Sequence, residues 1–243
     1  GGYTAAERNV VSGNRVYGMV YYGNCSYNPV IGNYIGVDVT GNNSLPNATG
    51  ICVDGGSNHN PIINNVLSGN NSYGIFIVTT GTFYNTMTGN ILGLNAAGTD
   101  TVPNDAGLLI GGGTKYNVIG GTTPAERNVF SGNRFGGIEI ADQGTSFNTI
   151  KGNFIGTDIT GLLARPNLYG ISIISECTQN TIDSNVISGN AHYGLLFFEN
   201  ADSNVVTRNY IGPGADSTTA IGNGTAGVVL WNGSSYNQIG GGN

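Results

Sequence analysis

Charged residues are scarce in this sequence. They make up only 9% of the 243 residues, whereas about 25% is typical of soluble domains. Lysine and arginine together number 8, and the formal net charge is −6. Nucleic-acid-binding surfaces need lysine and arginine to neutralise phosphates. The composition therefore argues against a nucleic-acid partner.

Cysteine is also rare, with three residues at irregular spacing: Cys25, Cys52 and Cys177. An odd and unevenly spaced set predicts neither a disulfide framework nor a zinc site. We therefore expect no metal site and no cofactor.

Long apolar runs are missing, since none approaches the ~18–20 residues that a membrane-spanning helix needs. The sequence therefore predicts no membrane span. It opens at Gly1 without an initiator methionine, so we expect a mature or excised fragment. Little lysine, little cysteine and abundant asparagine and tyrosine favour a bacterial protein that is secreted or held at the cell surface.

Glycine, by contrast, is abundant, at 42 of 243 residues, and it recurs in a pattern. The motif glycine–apolar–any–apolar begins at Gly18, Gly50, Gly74, Gly107, Gly137, Gly170, Gly194 and Gly227. After each copy comes an Asn-any-apolar triplet, beginning at Asn28, Asn60, Asn85, Asn117, Asn148, Asn180, Asn204 and Asn237. A third piece, Asn followed by two apolar residues, stands between successive copies, as at Asn33 and Asn65.

These short apolar pieces predict strands, because they are rich in Ile, Val, Phe and Tyr and lack helical periodicity. A unit of three such strands cannot bury its apolar face alone, but stacked units can. The sequence therefore predicts an all-β solenoid: a right-handed, single-stranded parallel β-helix of about eight coils with three short strands each. Aliphatic residues should stack inside it from coil to coil. Asparagine should occupy the corners, where it tolerates left-handed backbone and its amide can bond along the stack.

The chain also repeats on a longer scale. The octet ERNVVSGN at Glu7 returns as ERNVFSGN at Glu126, and Gly/Pro/Asx-rich insertions at Gly36, Gly93, Gly156 and Gly212 read as loops. We predict a single domain over 1–243, built of two super-repeats of four coils, about 1–119 and 120–243. Both ends fall at the same seam of the repeat and look uncapped, which predicts end-to-end association or fraying.

The pattern GIxI…NxIxGNxIG…PN, with segments such as GGTTPAERNVFSGN, resembles the parallel β-helix repeat of the pectin-lyase-like superfamily. It is most similar to repeats of large secreted or cell-surface bacterial proteins, and the resemblance covers essentially the whole chain. It implies the fold and leaves the activity open. The superfamily includes polysaccharide lyases, hydrolases, epimerases and phage tailspikes, and also surface proteins without known catalysis.

Positions where the two super-repeats disagree are the candidate functional residues. The resemblance implies that sugar would bind on the outward face of the first strand of each coil. In the second super-repeat Glu139 stands on this face, and four further acids gather just past the strand: Asp142, Glu176, Glu199 and Asp202. Asp142 and Glu199 lie two coils apart, about 9–10 Å at the backbone, close to the carboxyl spacing of inverting glycosidases.

We take Glu139, Asp142, Glu176 and Glu199 as the candidate catalytic residues. Candidate ligand-binding residues are Asp202 and the outward aromatics Tyr22, Phe76, Phe198 and Trp231. The competing interpretations are that the acids are solvated loop carboxylates, or that they bind a cation or ligand weakly. Outward apolar residues form a flank about 38 Å long, which we expect the long insertions to cover in part and an interface to use in part.

Signatures of the related enzymes are missing, however. No basic residue falls on this face, and the aspartate clusters of the family's hydrolases and calcium-dependent lyases are absent. Asp38 and Asp158 each stand alone in Asp-x-Thr-Gly text, which predicts a turn and not a calcium site. His59 and His192 read as surface turn residues.

Regularity without a catalytic constellation favours a non-catalytic rigid segment of a secreted or surface bacterial protein. Such a segment would present a face to a polysaccharide or another protein. The alternative is a polysaccharide-active enzyme, a glycoside hydrolase or lyase, with its acidic site in the second super-repeat.

Overall fold

A computed structural model describes residues 1–241 and consists of three parallel sheets of eight strands each. The first sheet holds β2 (Tyr17–Tyr21), β5 (Thr49–Val53), β8 (Tyr73–Ile77), β11 (Ala106–Ile110), β14 (Gly136–Ile140), β17 (Tyr169–Ile174), β20 (Tyr193–Phe198) and β23 (Ala226–Leu230). The second holds β3 (Val30–Ile31), β6 (Pro61–Ile63), β9 (Thr86–Thr88), β12 (Val118–Gly120), β15 (Thr149–Lys151), β18 (Thr181–Asp183), β21 (Val205–Thr207) and β24 (Gln238–Ile239). The third holds β1 (Val10–Val11), β4 (Tyr34–Ile35), β7 (Val66–Leu67), β10 (Ile91–Leu92), β13 (Val129–Phe130), β16 (Phe154–Ile155), β19 (Val186–Ile187) and β22 (Tyr210–Ile211).

Each strand pairs with the corresponding strand of the coil before and the coil after. In the first sheet, for example, β14 pairs with β11 through Ile138 opposite Leu108, and with β17 through Ile138 opposite Ile171. This confirms the predicted parallel β-helix of about eight coils. Whether the chain forms two four-coil super-repeats within one domain stays a prediction. No helix in residues 1–241 is both long and apolar enough to cross a membrane.

A single aliphatic core runs through the coils. Strand side chains alternate between the two faces of a sheet, and the inward positions are fully buried at Ile51, Ile75, Leu108, Ile138 and Ile171. The second sheet contributes a parallel stack that includes Ile62, Met87, Ile119 and Ile150. The predicted aliphatic ladders are therefore confirmed. At roughly 25 cal/mol per Å² of buried apolar area, this core is the main term that holds the coils together.

Asparagine forms three ladders that run the length of the solenoid. The first is Asn9, Asn33, Asn65, Asn90, Asn128, Asn153, Asn185, Asn209; the second Asn28, Asn60, Asn85, Asn117, Asn148, Asn180, Asn204, Asn237; the third Asn14, Asn47, Asn70, Asn104, Asn133, Asn167, Asn190, Asn223. Asn60, for instance, donates its backbone N–H and its side-chain amide to Oδ1 of Asn85, at 3.0 and 3.1 Å. The predicted bonding along the stack is thus confirmed.

The expected reason for asparagine at these corners was wrong. None of the ladder residues has positive φ; in the second ladder the left-handed residue is the one before it, as at Tyr84 (φ 57°) and Tyr116 (φ 58°). The ladder residues are selected for their amides, because a buried backbone N–H needs an acceptor, and Oδ1 of the next coil provides it.

The four insertions form a stacked layer of their own. Each is closed by an antiparallel bridge, and successive insertions bond to one another, as Ile159 N–H does to Gly98 O at 3.0 Å. They pack on the third sheet, where Val37 and Val102 bury Tyr34 and Val66. The expectation that they cover part of the outward flank of the first sheet is therefore not met by these contacts, which lie on the third sheet.

Asp38 illustrates how an insertion is held. Its carboxylate accepts hydrogen bonds from Thr40 Oγ1 at 2.7 Å and from Asn43 Nδ2 at 2.8 Å. These side-chain bonds keep the pKa of Asp38 well below its ordinary value. Asp158 makes the same 2.7 Å bond to Thr160 Oγ1. Both are the Asp-x-Thr-Gly turns that the sequence predicts.

Candidate functional site

Glu139 lies in the middle of the outward face of the first sheet. On β14 it alternates with the buried Ile138 and Ile140, so its side chain points away from the core. The residues opposite it are Leu109 on β11 and Ser172 on β17. The carboxyl is therefore flanked by one apolar and one hydroxyl side chain.

A groove of about 210 Å³ opens beside this carboxyl. We call it the Glu139 groove; its side chains are Phe135, Glu139, Tyr169, Ser172, Ile174 and Leu196, and its floor includes Gly136. Lysine and arginine are not among these lining residues. The walls are thus mostly apolar, with one carboxyl and two hydroxyl groups.

Gly136 is what opens the groove. It occupies the row in which β2, β8, β17 and β20 each carry a tyrosine, as at Tyr17 and Tyr169. A Cβ placed at Gly136 would meet only Ala106 Cβ, at 3.9 Å, and its φ is not left-handed. No backbone conformation requires glycine there, so the missing side chain leaves open space.

The surroundings of Glu139 disfavour its ionised form. Burial is the main cause of a raised pKa at this carboxyl, and the nearby Asp142 carboxylate adds to it. No hydrogen bond counteracts that shift, and the ion pairs found in residues 1–241 do not involve Glu139. A half-buried carboxyl without a compensating partner is costly in water-poor surroundings.

The other four candidate acids bind turns of neighbouring coils. Asp142 Oδ2 accepts the Gly112 N–H at 2.8 Å, and Glu176 accepts Gln143 Nε2 at 2.7 Å. Glu199 accepts Ser175 Oγ at 3.0 Å, and Asp202 accepts the Ser235 N–H at 2.6 Å. Each of these carboxylates therefore has a structural partner, whereas Glu139 has none.

These acids do not converge on one point. Asp142, Glu176 and Glu199 follow successive strands β14, β17 and β20 and have left-handed φ of 73°, 62° and 55°. Glu176 and Asp202 border an open depression of about 550 Å³ with Gln143, Thr178 and Asn200. The whole coil of β17 separates Asp142 from Glu199, the pair that the sequence suggested. Asp142 instead acts on Glu139, because its charge contributes to the raised pKa of that carboxyl.

The outward aromatics form two separate sets. Phe198 meets Trp231 edge to face, with ring centroids 5.5 Å apart, beside the C-terminal coils. Phe76 stacks on Tyr73 at 5.0 Å, and Tyr22 is 71% exposed near the N-terminal end. Of these aromatics, only Phe198 stands on a coil that carries candidate acids, and Trp231 stands on the next coil.

Comparison with models of known protein families gives one match that covers the second half of the chain. A family model described as "Periplasmic copper-binding protein (NosD)" matches residues 113–242, which is more than half of the chain. The chain belongs to the NosD family. This is a parallel β-helix family of the pectin-lyase-like fold, so the resemblance read from the repeats is confirmed.

Other comparisons add little to the NosD match. No curated protein matches the chain. A solved structure, the catalytic domain of a GH87 alpha-1,3-glucanase in complex with nigerose, aligns at 13% identity with a TM-score of 0.21. The alignment covers 96% of this chain and 60% of that chain, so this chain spans less than two thirds of its length. A likeness this distant carries no argument about function.

The copper in the NosD family description finds no matching ligand set here. Residues 1–241 contain no group of three or more His, Cys, Asp or Glu side chains placed to hold a metal ion. Copper favours thiolate, thioether and imidazole ligands, yet Cys52 and Cys177 are buried. Burial raises their pKa values to about 11 and about 12, which keeps them as thiols. Met87 is likewise in the core, 1% exposed.

Sequence reasoning missed a column of aromatic rings on the outside of the solenoid. Tyr27, His59, Tyr84, Tyr116 and Phe147 stack in order with centroids 5.1 to 5.3 Å apart, and all five have left-handed φ. The available signal was the residue before each Asn-any-apolar triplet, which is aromatic in five consecutive coils. His59 is thus an exposed turn residue, as expected, but one held between two tyrosines.

The Glu139 groove was also missed. Glu139 itself was found, because it differs from Val20 in the first super-repeat. The opening beside it was not found, because the side chain that Gly136 lacks is evident only against Tyr169, 33 positions further along the chain. Only the register of β14 against β17 and β20 brings them together.

Proposed function

We propose that this chain is a non-catalytic β-helix segment of a bacterial protein that is secreted or exposed at the cell surface. It presents the outward face of the first sheet, in the second super-repeat, to a glycan or a protein. The word "periplasmic" in the NosD family description supports a location outside the cytoplasm. The copper of that description has no place in this proposal, because the described residues offer no ligand set for it.

The engagement of the acids is the observation that carries the non-catalytic assignment. Asp142, Glu176, Glu199 and Asp202 each accept a hydrogen bond from a neighbouring coil at 2.6 to 3.0 Å. Carboxylates that brace turns gain stability from charge-assisted bonds. A general acid–base pair instead requires two carboxyls that face one substrate position. The four acids fit the bracing role better.

The binding face rests on a second observation. The Glu139 groove and the Phe198–Trp231 pair lie on the same outward surface, and Trp231 is 59% exposed. Exposed tryptophan beside a concave, partly apolar surface is typical of interaction sites. The first super-repeat carries Val20 where the second has Glu139, so the face is not a requirement of the scaffold.

One observation favours the alternative, a polysaccharide hydrolase or lyase. Glu139 has a raised pKa and a second carboxylate, Asp142, close enough to contribute to it. Catalytic acids are often prepared by this combination of burial and a like-charged neighbour. In this alternative Glu139 would be the acid and Asp142 its partner, with Glu176 and Glu199 further along the face.

A polysaccharide panel separates the two functions. The purified chain is incubated with neutral and acidic polysaccharides, and new reducing ends and unsaturated products are measured. We expect no product. Product formed by the natural sequence and lost in Glu139→Gln or Asp142→Asn, but retained in Asp54→Asn of the first super-repeat, would establish the enzyme instead.

The binding face is tested with immobilised glycans and with candidate surface proteins. We expect Trp231→Ala to weaken retention about tenfold, as loss of a central aromatic contact does. Tyr3→Ala is the matched control. Tyr3 is also an exposed aromatic residue, at 75%, but it lies at the N-terminal end of the solenoid, away from the second super-repeat. Equal retention by both variants would remove Trp231 from the proposed site.

A further inference from the structure

Glu139 is a carboxyl whose surroundings do not satisfy it. It is half-buried, and the groove that it faces is lined by the apolar Phe135, Ile174 and Leu196 together with the hydroxyl-bearing Tyr169 and Ser172. In residues 1–241 no cation lies within ion-pair distance of it, and the like charge of Asp142 raises its pKa further. A bound cation would relieve both the desolvation and the repulsion.

The two super-repeats show that the scaffold does not need this carboxyl. Every residue that lines the groove differs from its counterpart 119 or 120 positions earlier, whereas the inward positions stay apolar. The substitutions that matter most are Val20 to Glu139, Tyr17 to Gly136 and Asp54 to Ile174. Together they open a space, line it with apolar groups and place one negative charge inside it.

We propose that the Glu139 groove receives a lysine side chain of a partner protein, with the ammonium group against Glu139 and the methylene stem along Ile174 and Leu196. The proposal rests on the proposed function, that this face binds a partner, and it names the partner's chemistry. An ammonium on an apolar stem matches the groove because it offers charge at its tip and apolar surface along its length.

Other occupants fit less well. An anionic sugar or an acidic peptide would meet Glu139 and Asp142, and the lining residues include no lysine or arginine to offset that repulsion. A hydroxylated sugar ring needs hydrogen-bond partners on several sides, and the groove provides Ser172, Tyr169 and Glu139 only. A metal ion would need further ligands, and residues 1–241 offer no cluster of them.

Binding of small probes tests the groove directly. The probes are N-acetyl-lysine methylamide, its uncharged analogue N-acetyl-norleucine methylamide, and glucosamine. Methyl resonances of Ile174 and Leu196 are followed by NMR as each probe is added at pH 7. We expect saturable shifts with the lysine probe and binding at least about tenfold weaker with norleucine, which lacks the charged contact.

Three variants each remove one feature of the groove, and we expect all three to keep the fold. Glu139→Gln removes the charge and keeps the shape; we expect lysine-probe affinity to fall about tenfold, to the norleucine level. Glu139→Val and Gly136→Tyr restore the residues of the first super-repeat, and we expect both to abolish the shifts. Gly136→Tyr should fold, because the added Cβ has open space and the same row carries Tyr17. Unchanged amide spectra of the asparagine ladders verify this.

The outcomes are distinct. Equal affinity for the lysine and norleucine probes, or lysine binding that survives Glu139→Val, overturns the proposal. Shifts with glucosamine but not with the lysine probe overturn it too, and leave the binding face as a glycan site. Polysaccharide cleavage by the natural sequence would refute the non-catalytic function whichever probe binds, so the two failures are distinguishable.

Discussion

At the scale of single residues, Glu139 and Asp142 show how position decides what a carboxyl does. They lie three positions apart on and after β14. Asp142 accepts a backbone N–H from the neighbouring coil, whereas Glu139 points into a mostly apolar groove and accepts no hydrogen bond there. The hydrogen bond to Asp142 stabilises the scaffold, whereas the carboxyl of Glu139 has no hydrogen-bond partner within the protein. Only the second type of residue is available to bind something else.

The raised pKa of Glu139 gives a prediction about stability and pH. Because the folded state disfavours the ionised form, the protein loses stability as pH rises through the raised pKa of Glu139, and below its ordinary value of 4.5 this loss is absent. We expect Glu139→Gln to be more resistant to urea than the natural sequence at pH 7. The two should be equally resistant at pH 4. Asp54→Asn is the control on the same face, and a gain for Glu139→Gln that is the same at both pH values would contradict the explanation.

At the scale of elements, the asparagine ladders connect the coils where the strands end. Each ladder residue donates to the next coil and accepts from the previous one, so an interior member has two neighbours that depend on it. Asn85, fully buried, is such a member; Asn28, at the exposed end of the same ladder, is not.

We predict that Asn85→Ala lowers the free energy of unfolding by about 3 kcal/mol, because it leaves the buried N–H and amide donors of Asn60 without an acceptor. Asn28→Ala should cost about 1 kcal/mol, since water can replace the lost bonds at the exposed end. Urea unfolding followed by circular dichroism measures both. Similar losses at the two positions would mean that the ladder does not act through buried hydrogen bonds.

The aromatic column supports a second pair of variants at this scale. Tyr84 and Gln179 occupy the same place in their coils and share left-handed φ values of 57° and 58°. They differ in stacking, since Tyr84 lies 5.1 and 5.2 Å from the rings of His59 and Tyr116. We expect Tyr84→Ala to destabilise by about 2 kcal/mol, roughly 1 for each stacked ring, and Gln179→Ala by much less. Equal effects would assign the column no stabilising role.

At the scale of the whole molecule, the sequence predicted the solenoid well because its information is local and repeated. In each coil the glycine–apolar–any–apolar motif and the Asn-any-apolar triplet each specify one strand. Because both occur eight times, the stacking of coils can be inferred from the sequence. The Glu139 groove was not predictable in this way. Its opening depends on a side chain that Gly136 lacks, seen against Tyr169 on another coil. The expectation that the corner asparagines have left-handed φ was wrong for a similar reason. Their hydrogen bonds to the next coil, which the sequence of one coil does not show, account for asparagine there.

The direction of the ladders gives the final prediction, which concerns self-association. Every ladder donates from one coil to the next, as Asn104 does to Asn133 and Asn117 to Asn148 where the two super-repeats meet. Within residues 1–241 the first coil therefore presents amide acceptors and the last coil presents N–H donors. Tyr116 and Phe147 stack at that junction, with ring centroids 5.3 Å apart. The residues at the same positions of the repeat are Tyr236, in the last coil, and Tyr27, in the first coil.

We therefore propose that a polypeptide of these 243 residues associates head to tail, with the last coil of one copy on the first coil of the next. Sedimentation velocity should show a mean mass that rises with concentration. Leu230→Lys, in the last coil and 47% exposed, should abolish the rise because stacking would bury an unpaired charge. Val39→Lys, 76% exposed on an insertion, should leave it unchanged. A monomer at every concentration would contradict the proposal. So would association that Leu230→Lys leaves intact, because the contact would then lie on the side of the solenoid.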